Sequence, residues 1–392
     1  MSACVLGLFT RPGQGRQRRT APRVRAGVRC DVVWSAVHSP GWFSRLTVRG
    51  RTMVVGSTLT AVLMVTAAAV PIPYVAVGPG VTYDTLGSVD GTQVISFSGV
   101  GIPASAAQAA PDGGHLNMTS VSISGNVPLF EALGLWATGR YALAPREDYF
   151  PPDKTVDQVK ADDAQAFRDS QSAAEIASLR YLGYPNVTYV GQIPDGSPSL
   201  GVLQPQDQIV EVNGSKVTDF PSLQAALAGT TPGQVVSVTV LRNGEQVTEK
   251  VTLGSKPEGG GQGFLGIGAV ERPVAPFTTS ISLEQIGGPS AGLMFTLGII
   301  DKLGAGDLTG GRFIAGTGTM DADGNVGPIG GVLLKLITAR DAGATVFLVP
   351  ADNCAEAVTQ VPDGLKLVKV ASVNDAMTAL QTLKDGGTPP GC

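Results

Sequence analysis

The longest apolar run of the chain lies near its N-terminus. Residues 52–83 contain no charged side chain, and the segment 53–77 is almost continuously apolar. A helix needs about 20 such residues to cross a bilayer, so we predict a transmembrane helix over 53–77. A buried core helix is one alternative, and a signal peptide cut near 67–69 is another. The run is, however, longer than the roughly 7–15 apolar residues of a signal peptide.

Downstream of that run, the spacing of apolar positions predicts both strands and helices. Short alternating runs at 81–83, 93–97 and 116–123 predict strands. Apolar residues recur at three- and four-residue spacing between 155 and 182, which predicts a helix. We therefore predict an α+β fold, in which residues 78–182 pack with the domain that ends the chain.

Residues 183–255 show a compact pattern of their own. A strand and a short helix at 220–227 come first, and Asn243-Gly244 then joins two strands as a hairpin turn. This order resembles a PDZ domain of the bacterial kind, although Gln206 stands where that family usually has Gly. The resemblance implies that an extended peptide adds to a sheet edge.

A loop to hold the peptide carboxylate is the least distinct part of that pattern. Leu182, Gly183 and Tyr184 are the candidates for peptide binding, but a helix that simply ends at Gly183 explains the same residues equally well. The Gly-rich stretch 258–264 is predicted to be a linker, because no strand precedes it and no Gly-Lys-Ser/Thr follows. No Walker A pattern occurs in the sequence, so we predict no ATP-driven motor.

Residues 256–385 alternate strands and helices, and two polar residues lie at helix beginnings there. Ser290 is predicted in the first turn of one helix, where unpaired amides and the small Gly287 and Gly288 form a candidate oxyanion hole. Lys335 lies in the first turn of another helix among apolar residues. Burial and the helix dipole favour its neutral form, which can take a serine proton. An ordinary helix cap and a lysine that reaches solvent are the alternatives.

The sequence around both residues resembles the proteolytic domain of Lon-type proteases. The matching motifs are Gly-Pro-Ser-Ala-Gly at 288–292, Thr317-Gly, and Pro-Ile-Gly-Gly at 328–331 with Lys335 four residues later. The resemblance implies that Ser290 is the nucleophile, Lys335 its base, and Thr317 the residue that orients the lysine. With the apolar helix and the PDZ pattern, the resemblance extends to the membrane-anchored, PDZ-containing Lon-like serine proteases of bacteria.

Composition narrows the range of functions. The 392 residues include only two histidines, His38 and His115, so a His-rich metal site is excluded and we predict neither metal nor cofactor. Residues 1–52 carry a net charge of +9, whereas residues 53–392 carry −13. An acidic body argues against nucleic acid as a partner, because a nucleic-acid-binding face is basic.

The same charge asymmetry predicts a topology. Arginines precede the apolar run, so the N-terminus is predicted in the cytoplasm, with 1–52 as a disordered leader and residues from 78 onward outside the membrane. The predicted location is therefore the cell membrane, with a single pass. On this topology Cys354 and Cys392 share an oxidising compartment and could pair.

These observations predict a membrane-anchored serine endopeptidase that cleaves unfolded or extended proteins and peptides without ATP. Its PDZ unit (183–255) is predicted to be inserted in the Lon-type fold, and residues 386–392 form a tail. The Lon resemblance also implies a homo-oligomer, commonly a hexamer. Two alternatives remain: a catalytically inactive PDZ adaptor of the cell envelope, and an amidase for small molecules or peptides on the same serine–lysine pair.

Overall fold

The computed structural model of the chain describes most of its length. The described residues are 46–107, 113–257, 259–283, 287–304 and 307–392. Most of the predicted leader, up to residue 45, therefore lies outside them. The chain divides into two compact units, residues 1–63 and 64–392, with the boundary inside the first helix.

Helices and strands alternate along the described residues, which confirms the predicted mixture of the two. The helices are α1 (Val48–Ala69), α2 (Leu129–Ala137), α3 (Arg146–Tyr149), α4 (Val156–Tyr181), α5 (Phe220–Leu227), α6 (Gly292–Leu303), α7 (Val332–Asp341), α8 (Cys354–Ala357) and α9 (Val373–Lys384). The strands are β1 (Tyr74–Asp84), β2 (Ser88–Val89), β3 (Thr92–Gln93), β4 (Ile95–Gly99), β5 (His115–Ser124), β6 (Ala142–Pro145), β7 (Asn186–Gln192), β8 (Gln208–Val212), β9 (Ser215–Lys216), β10 (Val235–Arg242), β11 (Glu245–Thr252), β12 (Gly254–Ser255), β13 (Gly263–Phe264), β14 (Gly268–Pro273), β15 (Phe277–Ile281), β16 (Phe313–Gly316), β17 (Thr319–Met320), β18 (Val326–Gly327), β19 (Val346–Pro350) and β20 (Lys366–Val370).

α1 is long and apolar enough to cross a membrane, and none of its residues is buried. It differs from the predicted helix over 53–77, because it begins at Val48 and ends at Ala69. Pro71 and Pro73 lack the amide hydrogen that would continue the helix, and the chain enters β1 at Tyr74. By length and composition alone, α1 fits either a membrane anchor or a signal sequence.

Six strands form the larger sheet, in the spatial order β20-β19-β16-β5-β1-β6. β16 pairs in parallel with both β19 and β5, whereas β1 is antiparallel to both β5 and β6. In sequence, β1, β5 and β6 precede residue 183, and the other three strands follow residue 255. The predicted PDZ segment therefore separates two groups of strands that pair in one sheet.

Two helices cover this sheet from opposite faces. Side chains alternate along a strand, and on β16 Ile314 belongs to the core that contains α6, while Ala315 belongs to the core that contains α7. All residues of α6 are buried, and α4 packs on its outer side, with the rings of Phe167 and Phe295 5.7 Å apart. Because α6 is buried against one face of the sheet and α7 against the other, both helices are held in fixed positions.

The second sheet has the order β11-β10-β8-β7-β14, with β9 paired to β8, and α5 packs on its separate core. It extends past the predicted boundary at residue 255, because β14 pairs along β7. The prediction of a linker over 258–264 was wrong for residues 263–264, which form β13 and pair with β12. Glu258 lies outside the described residues.

The turn before β8 keeps a glycine-like conformation without a glycine. Gln206 has a φ of +77°, in the left-handed region that favours Gly. Its neighbour Asp207 is buried and accepts hydrogen bonds from the Arg242 guanidinium at 2.8 and 2.7 Å and from the Gln204 amide at 2.9 Å. These bonds hold the turn in the conformation that the PDZ resemblance leads us to expect.

A disulfide joins Cys354, at the start of α8, to Cys392 at the end of the sequence, a pairing that the sequence left open. The Lys369 amide of β20 also donates to the Pro390 carbonyl at 3.0 Å. The predicted tail over 386–392 is therefore attached at two points, to α8 and to β20.

We expect Cys392→Ser to lower the free energy of unfolding by about 2–4 kcal/mol, because the disulfide restricts the unfolded chain. Urea unfolding of the full chain in detergent measures this change. The wild type in reductant should match the variant, and adding Cys354→Ser to Cys392→Ser should cost nothing further. Equal stability of wild type and variant under oxidising conditions would contradict the structural role of the bond.

Candidate active site

Three polar side chains meet at the carboxyl end of β16. Ser290 lies in the turn before α6, Thr317 follows the last residue of β16, and Lys335 is the fourth residue of α7. α6 and α7 lie on opposite faces of the sheet, and their first turns converge at this strand end. Sites in sheets with parallel strands commonly lie at the carboxyl ends of the strands, where loops and helix beginnings gather.

The three side chains are in direct hydrogen-bond contact. Lys335 Nζ lies 2.8 Å from Ser290 Oγ and 2.9 Å from Thr317 Oγ1. Thr317 Oγ1 also donates to the Ser290 carbonyl at 3.0 Å, so its lone pairs are directed at the lysine. Lys335 and Thr317 are buried, whereas Ser290 is half-buried and lines a cleft. The amine is therefore shielded from water while the hydroxyl remains accessible.

Burial lowers the pKa of Lys335 from 10.5 to about 8. The cause is desolvation, which disfavours the charged ammonium. A lysine with this pKa is partly neutral near physiological pH, and a neutral amine at 2.8 Å can accept the proton of a serine hydroxyl. The arrangement can therefore generate a serine nucleophile.

Ser290 precedes α6 instead of lying in its first turn, so that part of the prediction was wrong. The helix begins at Gly292, with Ala291 as its N-cap residue. The Ser290 carbonyl accepts hydrogen bonds from the Gly318 amide at 2.9 Å and from the Thr317 hydroxyl. Because that carbonyl is bound to the β16–β17 turn, it does not begin the helical ladder. The same bonds fix the backbone of the serine.

Gly287 and Gly288 allow the loop to pack closely against α4. They do not both provide a free amide for an oxyanion, contrary to the prediction from the sequence. The Gly288 amide donates to the Asp163 carbonyl of α4 at 3.0 Å, so it is not free, and its φ of +84° favours glycine. A Cβ at Gly287 would lie 2.8 Å from the Asp163 Cβ. The Ser290 amide makes no hydrogen bond with another described residue, and it remains the candidate oxyanion donor.

α4 supports this loop through contacts that were not predicted from the sequence. Ser170 Oγ donates to the Pro289 carbonyl at 3.0 Å, in addition to the bond between Asp163 and Gly288. Ser170 is buried and lies on the same face of α4 as Phe167 and Ala174. A polar residue on the apolar face of the predicted helix was the signal that could have revealed this contact.

A cleft of about 680 Å³ opens onto Ser290. Tyr149, Phe150 and Val159 contribute apolar walls, and Asp163 lines it on the α4 side. His115 does not line this cleft; its Nδ1 lies 2.8 Å from Asp84 Oδ2. Within the described residues, no group of three or more His, Cys, Asp or Glu side chains could hold a metal ion.

Leu182, Gly183 and Tyr184 end a helix, and their amides do not form a carboxylate-binding loop. Leu182 is the C-cap of α4, Gly183 has a φ of +77°, and the Tyr184 amide donates to the Leu179 carbonyl at 3.0 Å. This is the Schellman pattern of a helix end. The Tyr184 ring packs edge-on against Phe277, 5.7 Å between ring centres. The peptide-binding prediction for these residues was therefore wrong, and the alternative interpretation holds.

A groove of about 640 Å³ lies instead between α5 and residues 262–269. Leu223 and Ala225 line it from α5, and Leu265, Ile267 and Ala269 line it from the opposite side. β14 is the edge strand of the second sheet and lies beside α5. The alternation of Gly and apolar residues after the Gly-rich run was the sequence signal for this groove, which the linker prediction overlooked.

Comparison with known families finds two domain matches in the chain. Residues 159–253 match the PDZ domain family, and residues 285–383 match the Lon protease (S16) C-terminal proteolytic domain. The chain carries a PDZ domain and a Lon-type proteolytic domain. Such a pair fits the binding of peptides or proteins as substrates, and the Lon-type domain is consistent with a serine protease.

Curated relatives match only parts of the chain. Lon protease 2 of Bacillus subtilis is 30% identical over 92 residues, which are 24% of this chain and 16% of the relative. A probable periplasmic serine endoprotease, DegP-like, of Hahella chejuensis is 33% identical over 84 residues, 21% of this chain and 18% of the relative. The chain thus spans less than a fifth of the length of each.

Solved structures similar to the chain include two PDZ domains of SdrC-like proteins. That of Listeria monocytogenes is 21% identical, covers 21% of this chain and 87% of its own, and has a TM-score of 0.20. That of Listeria innocua is 18% identical, covers 23% of this chain and 98% of its own, and also has a TM-score of 0.20.

Lys335→Met tests the burial of the amine. The lowered pKa means that Lys335 binds fewer protons in the folded than in the unfolded chain between pH 8 and 10.5, so this residue should contribute a rise of about 3 kcal/mol to the free energy of unfolding across that interval. Below pH 8 the full cost of the buried charge is present. We expect Lys335→Met to be no less stable than the wild type at pH 7 and to lack this rise.

Urea unfolding of wild type and variant from pH 7 to 10.5 measures the difference. Lys216→Met, at an exposed position, is the matched control and should keep the wild-type rise. A Lys335→Met profile that rises like the wild type would show that the amine does not titrate in this way.

Proposed function

We propose that this chain is a serine endopeptidase with Ser290 as nucleophile and Lys335 as general base. The observation that carries the proposal is the 2.8 Å contact between Lys335 Nζ and Ser290 Oγ, made by an amine whose pKa burial lowers to about 8. The match to a Lon-type proteolytic domain over 285–383 supports the same reaction class.

In the proposed mechanism, Ser290 Oγ attacks the carbonyl carbon of a peptide bond while its proton passes to Lys335 Nζ. The Ser290 amide donates to the oxyanion of the tetrahedral intermediate. Collapse of the intermediate breaks the C–N bond, and the leaving amine takes the proton from the Lys335 ammonium. Lys335 then takes a proton from a water molecule that attacks the acyl carbon, and it returns that proton to Ser290 Oγ as the ester C–O bond breaks and the acid is released. Thr317 acts as a positioning residue, since its hydroxyl holds the amine towards Ser290.

We propose that the enzyme works without ATP on unfolded or extended chains. The sequence contains no Walker A motif, so no nucleotide-driven unfolding step is built into it. The cleft at Ser290, about 680 Å³ with apolar walls, has room for a few residues of a peptide and not for a folded domain.

The PDZ unit is proposed to be an insertion in the Lon-type fold that captures peptides. The pairing of β1, β5 and β6 with β16, β19 and β20 across the PDZ segment supports the insertion. A substrate segment would add to the free edge of β14, with side chains in the groove beside α5. Arg180, at the end of α4, donates to the Glu271 carbonyl of β14 at 2.9 Å and to the Ala322 carbonyl at 2.7 Å, which ties this edge to the protease domain.

We propose that α1 anchors the chain and that the body lies outside the cytoplasm. The length and apolar character of α1 support the anchor, and the arginines before it support the orientation. The disulfide between Cys354 and Cys392 fits an oxidising compartment. Oligomerisation, expected from the family resemblance alone, is not part of the proposal.

The catalytic roles are tested by cleavage of an unfolded protein without ATP, followed by mass spectrometry. We expect Ser290→Ala and Lys335→Ala each to lower the rate by at least about a hundredfold, because each removes the nucleophile or its base. Since the neutral amine is the active form, the wild-type rate should rise with pH through about 8. Ser282→Ala, at an exposed serine, is the control and should cleave normally. An inert wild type that no serine-reactive phosphonate labels would favour the adaptor alternative.

Ala225→Phe tests the groove beside α5. Ala225 is exposed and lines the groove, so a ring there should block a bound peptide and weaken its binding about tenfold without disturbing the core. We expect protein cleavage at low substrate concentration to fall, while a peptide too short to reach the groove is cleaved at the wild-type rate. Val235→Phe, on an exposed position of β10, is the matched control. If Ala225→Phe and Val235→Phe cleave protein at the same rate, the groove beside α5 does not bind the substrate.

A further inference from the structure

The helix α2 exposes an apolar surface that nothing in the described chain covers. Leu129, Phe130, Leu133 and Trp136 are 38%, 42%, 45% and 61% exposed, respectively. Their spacing of one, four and seven residues places them on one side of the helix. Soluble proteins rarely leave such contiguous apolar surface in water unless it binds something.

The opposite side of α2 is apolar as well. Ala132 is fully buried, and Leu135 packs against the core formed with Val127. Glu131 is the single charged residue of the helix. A helix that is apolar on all sides is normally covered on all sides. We therefore expect the outer side of α2 to contact a second apolar environment.

The position of α2 indicates which environment that is. Pro128, directly before α2, forms a β-bridge with Pro71, and the Ile72 amide donates to the Val127 carbonyl at 3.0 Å. Pro71 lies two residues beyond Ala69, the last residue of α1, and two residues span at most about 7 Å. The end of α1 and the whole of α2 belong to the same compact unit. The start of α2 is therefore held close to the point where α1 ends.

The apolar surface continues from α2 onto the helix that carries Lys335. A cavity of about 640 Å³ lies between them, and Leu133 and Trp136 of α2 and Leu333 and Ile337 of α7 line it. A bilayer can cover a broad and irregular apolar face of this kind, because lipid chains adapt to its shape.

We propose that the outer side of α2 inserts into the interfacial region of the membrane that α1 crosses. The inference rests on the proposed anchoring by α1. Trp136, the most exposed member of the surface, is of the residue type that concentrates at membrane interfaces. The affinity of α2 for lipid can be weak, because a tether of a few residues gives it a high effective concentration at the bilayer. The body is thereby held at two points on the membrane, α1 and α2.

The test uses the full chain with Trp34→Phe and Trp42→Phe, which leaves Trp136 as the single tryptophan. The variant is reconstituted into phosphatidylcholine vesicles with or without bromine on the acyl chains. We expect brominated lipid to remove most of the Trp136 emission. In the matched control, Trp136→Phe with Val235→Trp moves the single tryptophan to an exposed position on β10, and its emission should be the same in both lipids.

A second variant tests the surface itself. Phe130→Asp with Leu133→Asp should restore the Trp136 emission in brominated vesicles, while the chain still floats with the vesicles through α1.

The outcomes distinguish the proposed anchoring by α1 from the proposed insertion of α2 into the membrane interface. A chain that does not float overturns the anchor and the inference together. A chain that floats, but whose Trp136 emission is the same in both lipids, overturns the inference and leaves the anchor. Trp136 shielded from an aqueous quencher yet insensitive to brominated lipid would mean that a second copy of the chain covers α2, which also overturns it.

Discussion

The contact between Lys335 and Ser290 is the constraint on which the rest of the site depends. Desolvation is what lowers the pKa of the Lys335 amine, and here it comes from burial between a packed sheet and the helices on its two faces. α6 and α7 supply those two layers, and the end of β16 brings Thr317 between them. Ser290 lies in the turn before α6 and not within it, and its hydroxyl remains accessible from the cleft.

α4 connects this site to the PDZ domain. At one end Ser170 donates to the Pro289 carbonyl and the Asp163 carbonyl accepts from the Gly288 amide, so α4 holds the loop that precedes Ser290. At the other end Arg180 binds the carbonyl of Glu271 on β14, the edge strand beside the groove. The Glu271 carboxylate in turn accepts from the Phe220 amide at the start of α5. One helix thus contacts both the loop before Ser290 and the edge strand β14.

The errors of the sequence analysis share one cause. The segment containing β13 and β14 is short and rich in Gly, so its local pattern is that of a loop, and pairing with β12 and β7 decides that it forms strands. Gly183 followed by Tyr184 is compatible with a carboxylate loop or a helix end, and only the bond to Leu179 decides between them. Strand pairing between distant segments depends on tertiary contacts that local spacing does not record.

The sequence by itself determined the apolar helix, the mixture of helices and strands, the hairpin of the PDZ domain, and the choice of Ser290, Lys335 and Thr317 as candidates for one site, which the structure brings into contact. Those features depend on local composition, periodicity and short motifs. Tertiary structure decided which backbone amide near Ser290 is left without a partner among the described residues, and that the groove lies at β14. Each of these is set by a hydrogen bond or a strand pairing between distant segments, such as Gly288 to Asp163, which local sequence does not specify.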